Sequence, residues 1–169
     1  MTHHGIVPVI VPDVFDAAFI SYGQPDDAFA RRLYESLTAR GVTAYYFPET
    51  AHPGERLSNE LRRQIKLHDR FLLVCSEASL NRAGVRNEIQ ETFDREARDG
   101  GASYLIPILL DNYLFDPDGW RSEEPDLAEA VQARSALDFR GALDDPDEYE
   151  RKLTRLLEVL SRLPRLPRT

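Results

Sequence analysis

One helix-like stretch separates a candidate reactive carboxylate from the ordinary surface charges around it. Between Gly84 and Gly100 the apolar residues Val85, Ile89 and Phe93 recur every four positions, the spacing of a helix that buries one face. Glu91 has Arg95 four residues on and Asp94 has Arg98, so both are expected to form ion pairs on a solvated face. Glu88 has Gly84, Val85, Glu91 and Thr92 at the neighbouring helical offsets, with no cation among them. It falls at the margin of the apolar stripe, close to the helix start. Glu96 is expected to be unpaired as well, but two turns deeper. A carboxylate placed as Glu88 is can orient hydroxyls or stabilise a developing positive charge. The plainer alternative is a surface glutamate at the boundary of an apolar face.

Other reactive groups argue for less. Cys75 follows Phe71-Leu72-Leu73-Val74 and reads as a small buried side chain rather than a nucleophile. His52 and His68 have no second histidine or cysteine at ligand spacing, so both are expected to be solvated and no metal site is expected. No Gly-x-x-x-x-Gly-Lys occurs, and Ser21-Tyr22-Gly23-Gln24-Pro25-Asp26 is too poor in glycine for a dinucleotide fingerprint. P-loop and Rossmann dehydrogenase chemistry are thereby excluded. A phosphoacceptor receiver needs an aspartate ending its third strand, where this chain has Cys75-Ser76.

The elements that must position these groups alternate along the chain. Short apolar runs at 14–20, 42–47, 71–75, 104–110 and about 135–139 read as strands. Helical spacing lies between them: Phe29, Leu33 and Leu37 after a cap at Asp26; Leu57, Leu61 and Ile65; Val85, Ile89 and Phe93; a short helix at about 126–133; and a last helix from Pro146. Pro107 inside the fourth strand points to an edge or a bulge. Strands separated by helices imply parallel β-α-β units with helices on both faces of one sheet. Ligands of such sheets sit outside the carboxyl ends of the strands. That places Ser21–Asp26, Phe47–Gly54 and Cys75–Ser79 around a common mouth.

Composition bounds the partners. A chain of 169 residues fits one domain. With 29 acidic against 21 basic side chains and a net charge of −8, it is not expected to bind nucleic acid directly. A single cysteine fits a reducing, cytoplasmic setting. The apolar start, Met1 to Pro12, is broken by Pro8 and Pro12 and has neither the basic flank nor the cleavage site of a signal peptide, and no run is long enough for a membrane span. Residues 1–12 read as an N-terminal extension, 13–163 as the domain, and 164–169 as a Pro/Arg tail or the start of a linker to a further domain.

Together the motifs resemble the Toll/interleukin-1 receptor (TIR) domain, in the style of bacterial TIR domains similar to antiphage NAD-consuming effectors. Phe15-Asp16-Ala17-Ala18-Phe19-Ile20-Ser21-Tyr22 looks like the family's first box. Gly41 to Gly54 resembles its second strand and following loop, closing on Pro53-Gly54, and Phe71 to Ser79 its apolar third strand and serine-rich turn. Gly84-Val85-Arg86-Asn87-Glu88 falls where the family has Trp-x-x-x-Glu, with Gly84 in place of the tryptophan. The resemblance covers about residues 13–160 and implies a flavodoxin-like three-layer sandwich with a five-stranded parallel sheet in the order 2-1-3-4-5.

By the same resemblance Glu88 is the catalytic glutamate of an NAD+ glycohydrolase, releasing nicotinamide and ADP-ribose or a cyclic ADP-ribose. NAD+ is the substrate and no cofactor is implied. Ser21, Tyr22, Gly23, Phe47 and Cys75 are the candidate substrate-binding residues, and Arg56, Arg82 and Arg86 lie near the expected mouth. Self-association with other TIR domains through the Pro48–Gly54 loop, and a fused or partner sensor domain, are expected. Two other readings stay open: a non-catalytic TIR adaptor, and a nucleoside deoxyribosyltransferase-like enzyme that shares the sheet and also uses a glutamate.

Overall fold

The computed structural model describes residues 14–46, 59–120 and 125–162. Five parallel strands form one sheet in the order 2-1-3-4-5: β1 (Ala18–Ser21), β2 (Ala44–Tyr46), β3 (Arg70–Cys75), β4 (Leu105–Leu109) and β5 (Leu137–Asp138). The helices are α1 (Asp27–Ala39), α2 (Asn59–Leu67), the single turn α3 (Glu77–Leu80), α4 (Ala83–Arg98), α5 (Pro125–Gln132) and α6 (Pro146–Leu160). In register, Ser21 pairs with Leu73 and Cys75 with Leu109, so the ends of β1 and β3 lie side by side.

Strand alternation divides the core into two layers. Ala18, Ile20, Leu72, Val74, Ile106 and Ile108 pack under α1, through Phe29, Leu33 and Leu37, and under α6, through Tyr149, Leu153 and Leu156. Phe19, Phe71, Leu73, Cys75 and Leu109 pack on the other face with Val85 and Ile89 of α4 and Leu127 and Val131 of α5. β3 and β4 are buried almost throughout, as expected for parallel strands covered on both sides.

Several local expectations change. The first strand begins at Ala18 rather than residue 14, and Phe15 instead forms an antiparallel bridge with Ser161 after α6. Pro107 sits in an interior strand, between β3 and β5 in the sheet order. The carbonyl of Leu109 accepts the Phe139 N–H at 2.9 Å, so alternation turns Pro107 toward the β5 side as well. β5 pairs only from Ile108 onward, so the proline forfeits no ladder hydrogen bond. His68 is buried rather than solvated: its ring lies 6.2 Å from Phe19 and 5.9 Å from Tyr45, with Nδ1 2.6 Å from the Gln64 carbonyl.

Candidate functional site

The site grows from where β1 ends. Phe19 and Ser21 share the face that α4 covers, and the Ser21 hydroxyl donates to Oε2 of Glu88. Glu88 lies on the buried stripe of α4 with Val85, Ile89, Thr92 and Glu96, and is 9% exposed. It is therefore inside the helix–sheet interface rather than at its margin. A carboxylate there must be hydrogen-bonded to be tolerated, and the serine at the strand end supplies such a bond. Thr92 Oγ1 donates back to the Glu88 carbonyl at 2.9 Å, so the threonine hydroxyl buried on this stripe is also satisfied.

The last residue of β1 and the one that follows it are sent to opposite sides. Tyr22 is buried in the α1 layer, its hydroxyl 3.1 Å from Asp27 Oδ1 and its ring 6.1 Å from that of Tyr46. The strand thus brings Ser21 to Glu88 and carries Tyr22 across the sheet. Gly23 is a point of close approach: an added Cβ would come within 2.9 Å of both the Ser79 Cα and the Arg82 Cγ. Its N–H donates to Ser79 Oγ at 2.8 Å. The space beside this glycine is taken by the turn after β3 and by the stem of Arg82, the residue that precedes α4.

Cys75 lies on the Ser21 face but is completely buried among apolar side chains, its Sγ 3.4 Å from the Leu73 carbonyl. Burial pushes its thiol well above the ordinary cysteine range, which disfavours the thiolate. Phe47, the Pro48–Gly54 loop with His52, and Arg56 lie outside the described residues. Gly84 is exposed one turn before Glu88, and a Cβ there would meet nothing within 4 Å. Trp120, the only tryptophan, is buried next to α5 beside a hollow of about 650 Å3 whose lining includes Phe115 and Gln132 but neither Ser21 nor Glu88.

Two features escape the sequence. Asp26 was expected to cap α1, yet its side chain makes no cap hydrogen bond. It accepts the hydroxyls of Ser76 and Ser79 instead, tying the loop after β1 to the turn after β3. Glu96, expected to be unpaired, accepts the N–H groups of Tyr104 at 2.6 Å and Leu105 at 3.2 Å and those of both terminal guanidinium nitrogens of Arg134. Arg95 turns to Asp99, at 3.6 Å, and to the carbonyls of Ile65 and His68. Asp99 lies at helical spacing from Arg95, but partners as distant as Ile65, His68 and Arg134 leave no trace in it.

A doubly wound parallel α/β domain with a buried, serine-held glutamate at the carboxyl end of its first strand is the class that fold and site define. The family model for the TIR domain matches residues 18–157, and the chain belongs to that family. No curated protein matches the sequence. Among solved structures the chain is similar to the TIR domains of the activated Roq1 resistosome recognising the pathogen effector XopQ, at 16% identity over 85% of this chain and 98% of that one, with a TM-score of 0.61. A metazoan TIR-STING receptor from C. gigas, in complex with 2′,3′-cGAMP, is similar at 23% identity and a TM-score of 0.53. That match covers 87% of this chain but 42% of the receptor. The RPS4 and RRS1 TIR domain heterodimer is similar at 15% identity over 85% and 97% of the two chains, with a TM-score of 0.54. Among the described residues, no helix is long and apolar enough to cross a membrane.

Proposed function

We propose that this TIR domain is an NAD+ glycohydrolase with Glu88 as its catalytic carboxylate. The observation that carries the reading is the hydrogen bond from Ser21 to a glutamate buried where the sheet's strands end, the position at which parallel α/β sheets bind ligands. In the reaction the bond from ribose C1′ to the nicotinamide nitrogen breaks, and its electron pair neutralises the pyridinium. The leaving group needs no proton, so a second carboxylate of the glycosidase type is unnecessary. Glu88 faces the positive charge that develops on the ribose and orients its hydroxyls, while Ser21 holds one carboxylate oxygen in place. Water adds its oxygen to C1′ and loses a proton to solvent, giving ADP-ribose. Attack by the adenine of the same molecule gives the cyclic product.

Phe47 and the Pro48–Gly54 loop complete the nicotinamide side and the contact with a second TIR domain, and turnover is switched on by self-assembly. The Roq1 resistosome and the RPS4–RRS1 heterodimer, both containing TIR domains, support assembly as a theme of the fold. A cytoplasmic role in bacterial antiphage defence, under a fused or partner sensor domain, is the setting this chemistry suits.

The test incubates concentrated protein with NAD+ beside Glu88→Gln and follows nicotinamide and its co-products by mass spectrometry. Wild type is expected to release nicotinamide, and the variant to lose on the order of a hundredfold or more. Absence of turnover in assembled wild type, with TIR–TIR binding retained, would establish the adaptor reading. Base exchange on deoxynucleosides would establish the transferase one.

A further inference from the structure

We propose that Asp26 is a positioning residue for the Glu88 site, setting where Ser21 meets the glutamate by clamping the end of β1 against the entry to α4. The inference rests on the NAD+-cleaving reading for its kinetic consequence but on geometry for the clamp. Asp26 Oδ2 accepts the hydroxyls of both Ser76 and Ser79. Neither serine is merely a donor to it. Ser79 Oγ also accepts the Gly23 N–H at 2.8 Å, and Ser76 Oγ accepts the Ser79 N–H at 3.0 Å, capping α3. One carboxylate therefore closes a loop of hydrogen bonds joining Gly23, two residues past Ser21, to the turn that leads from β3 into α4.

The clamp works at close quarters. Gly23 is pressed between the Ser79 backbone and the Arg82 side chain, the last residue before α4. From there Glu88 follows within two helical turns. Moving the Ser76–Ser79 turn relative to β1 moves the base of α4, and with it the carboxylate that Ser21 holds. Asp26 precedes α1 without capping it through its side chain, so its removal costs that helix no side-chain hydrogen bond. An arrangement with two hydroxyls fixed on one carboxylate oxygen, and a backbone N–H fixed on one of those hydroxyls, suits alignment more than helix stability. Small misplacement of a catalytic group is costly, which is what makes alignment measurable.

Asp26→Ala removes the acceptor, whereas Asp26→Asn keeps a carbonyl oxygen that can take both hydroxyls. In the full chain under assembling conditions, Asp26→Ala is expected to lower kcat about tenfold or more with KM within about twofold, and Asp26→Asn to recover most of the loss. A folded Asp26→Ala with unchanged kcat, or with the whole effect in KM, overturns the proposal. A second measurement needs no turnover: the Glu88 carboxyl carbon-13 resonance, identified by its loss in Glu88→Gln, is expected to move in Asp26→Ala and return toward wild type in Asp26→Asn. A resonance that stays put overturns the clamp even if NAD+ is cleaved. A resonance that moves in a protein that never cleaves NAD+ sustains the clamp and removes only the enzymatic reading. If Asp26→Ala fails to fold, Ser79→Ala leaves the carboxylate and Ser76 in place and is expected to show the same two effects in smaller measure.

Discussion

Three neighbouring side chains around the end of β1 show how far one residue's surroundings decide its use. Ser21 and Tyr22 are consecutive, yet the pleat turns one hydroxyl to Glu88 and the other to Asp27 on the far face. Cys75 shares Ser21's face and is the strongest nucleophile by type, but it lies beneath packed apolar groups. Its raised thiol pKa has a sign that can be checked. Near pH 8.5 an ordinary cysteine is about half thiolate and alkylates readily. Native protein at that pH is expected to resist iodoacetamide at Cys75, with labelling appearing only as denaturant opens the domain. Rapid labelling of native protein would place the thiol at a solvent-reachable site instead. The burial of Cys75 was legible from the four apolar residues before it. The Ser21–Glu88 contact was not, because 67 residues separate the partners and only the sheet brings them together.

At the scale of elements, α4 carries both the candidate catalytic group and a carboxylate engaged by several partners at once. Its apolar repeat at Val85 and Ile89 gave away its existence and its buried face. Helical spacing misjudged Glu96, expected to be unpaired, and Arg95, expected to pair with Glu91, since it ranks only neighbours on the same helix. Glu96 is the clearest case: its partners come from the start of β4 and from Arg134, beyond α5, so it ties the far end of α4 to the sheet. Leu105 shares the parity of Pro107 and Leu109, so its N–H turns to the β5 side of β4 at a level that β5 does not reach, and Glu96 accepts it there. Glu96→Ala would strand Arg134 and two backbone donors. With Glu96 buried and Arg134 partly exposed, a loss of about 2–3 kcal/mol is expected, or a melting point lower by roughly 5–10 °C in a domain this size. Thermal unfolding followed by circular dichroism checks it. A variant that melts with wild type would show that water satisfies these donors and that α4 is held by its apolar stripe alone.

Across the whole molecule the two ends of the described chain meet far from Glu88. Val14 accepts the Arg162 N–H at 2.8 Å, Leu160 accepts the Asp16 N–H at 2.8 Å, and Phe15 bridges Ser161. Asp16 pairs with Arg70 at 3.1 Å and Arg162 at 2.7 Å, while Asp69 takes the other arm of Arg162 at 2.6 Å and the Ala17 N–H at 3.0 Å. This clasp sits where the strands begin, whereas Ser21 and Gly23 lie where β1 ends, so the sheet's full length separates closure of the domain from the site. The sequence showed the α6 stripe and the first box but not their junction, because charges 146 positions apart carry no periodic signal. Arg162→Ala should therefore loosen the end of α6 without touching the Ser21–Glu88 pair. The expected result is a fall in melting temperature smaller than that of Glu96→Ala, faster amide exchange confined to Val14–Ala17 and the last turn of α6, and an unchanged Glu88 carboxyl resonance. Because Arg162 is solvent-exposed, the difference from wild type should shrink as salt rises from millimolar to molar. A difference that persists in molar salt would mean that the packing and hydrogen bonds of the Arg162 side chain, rather than its charge, hold the ends together. A Glu88 resonance that moved with Arg162→Ala would mean that the two ends of the sheet are mechanically coupled.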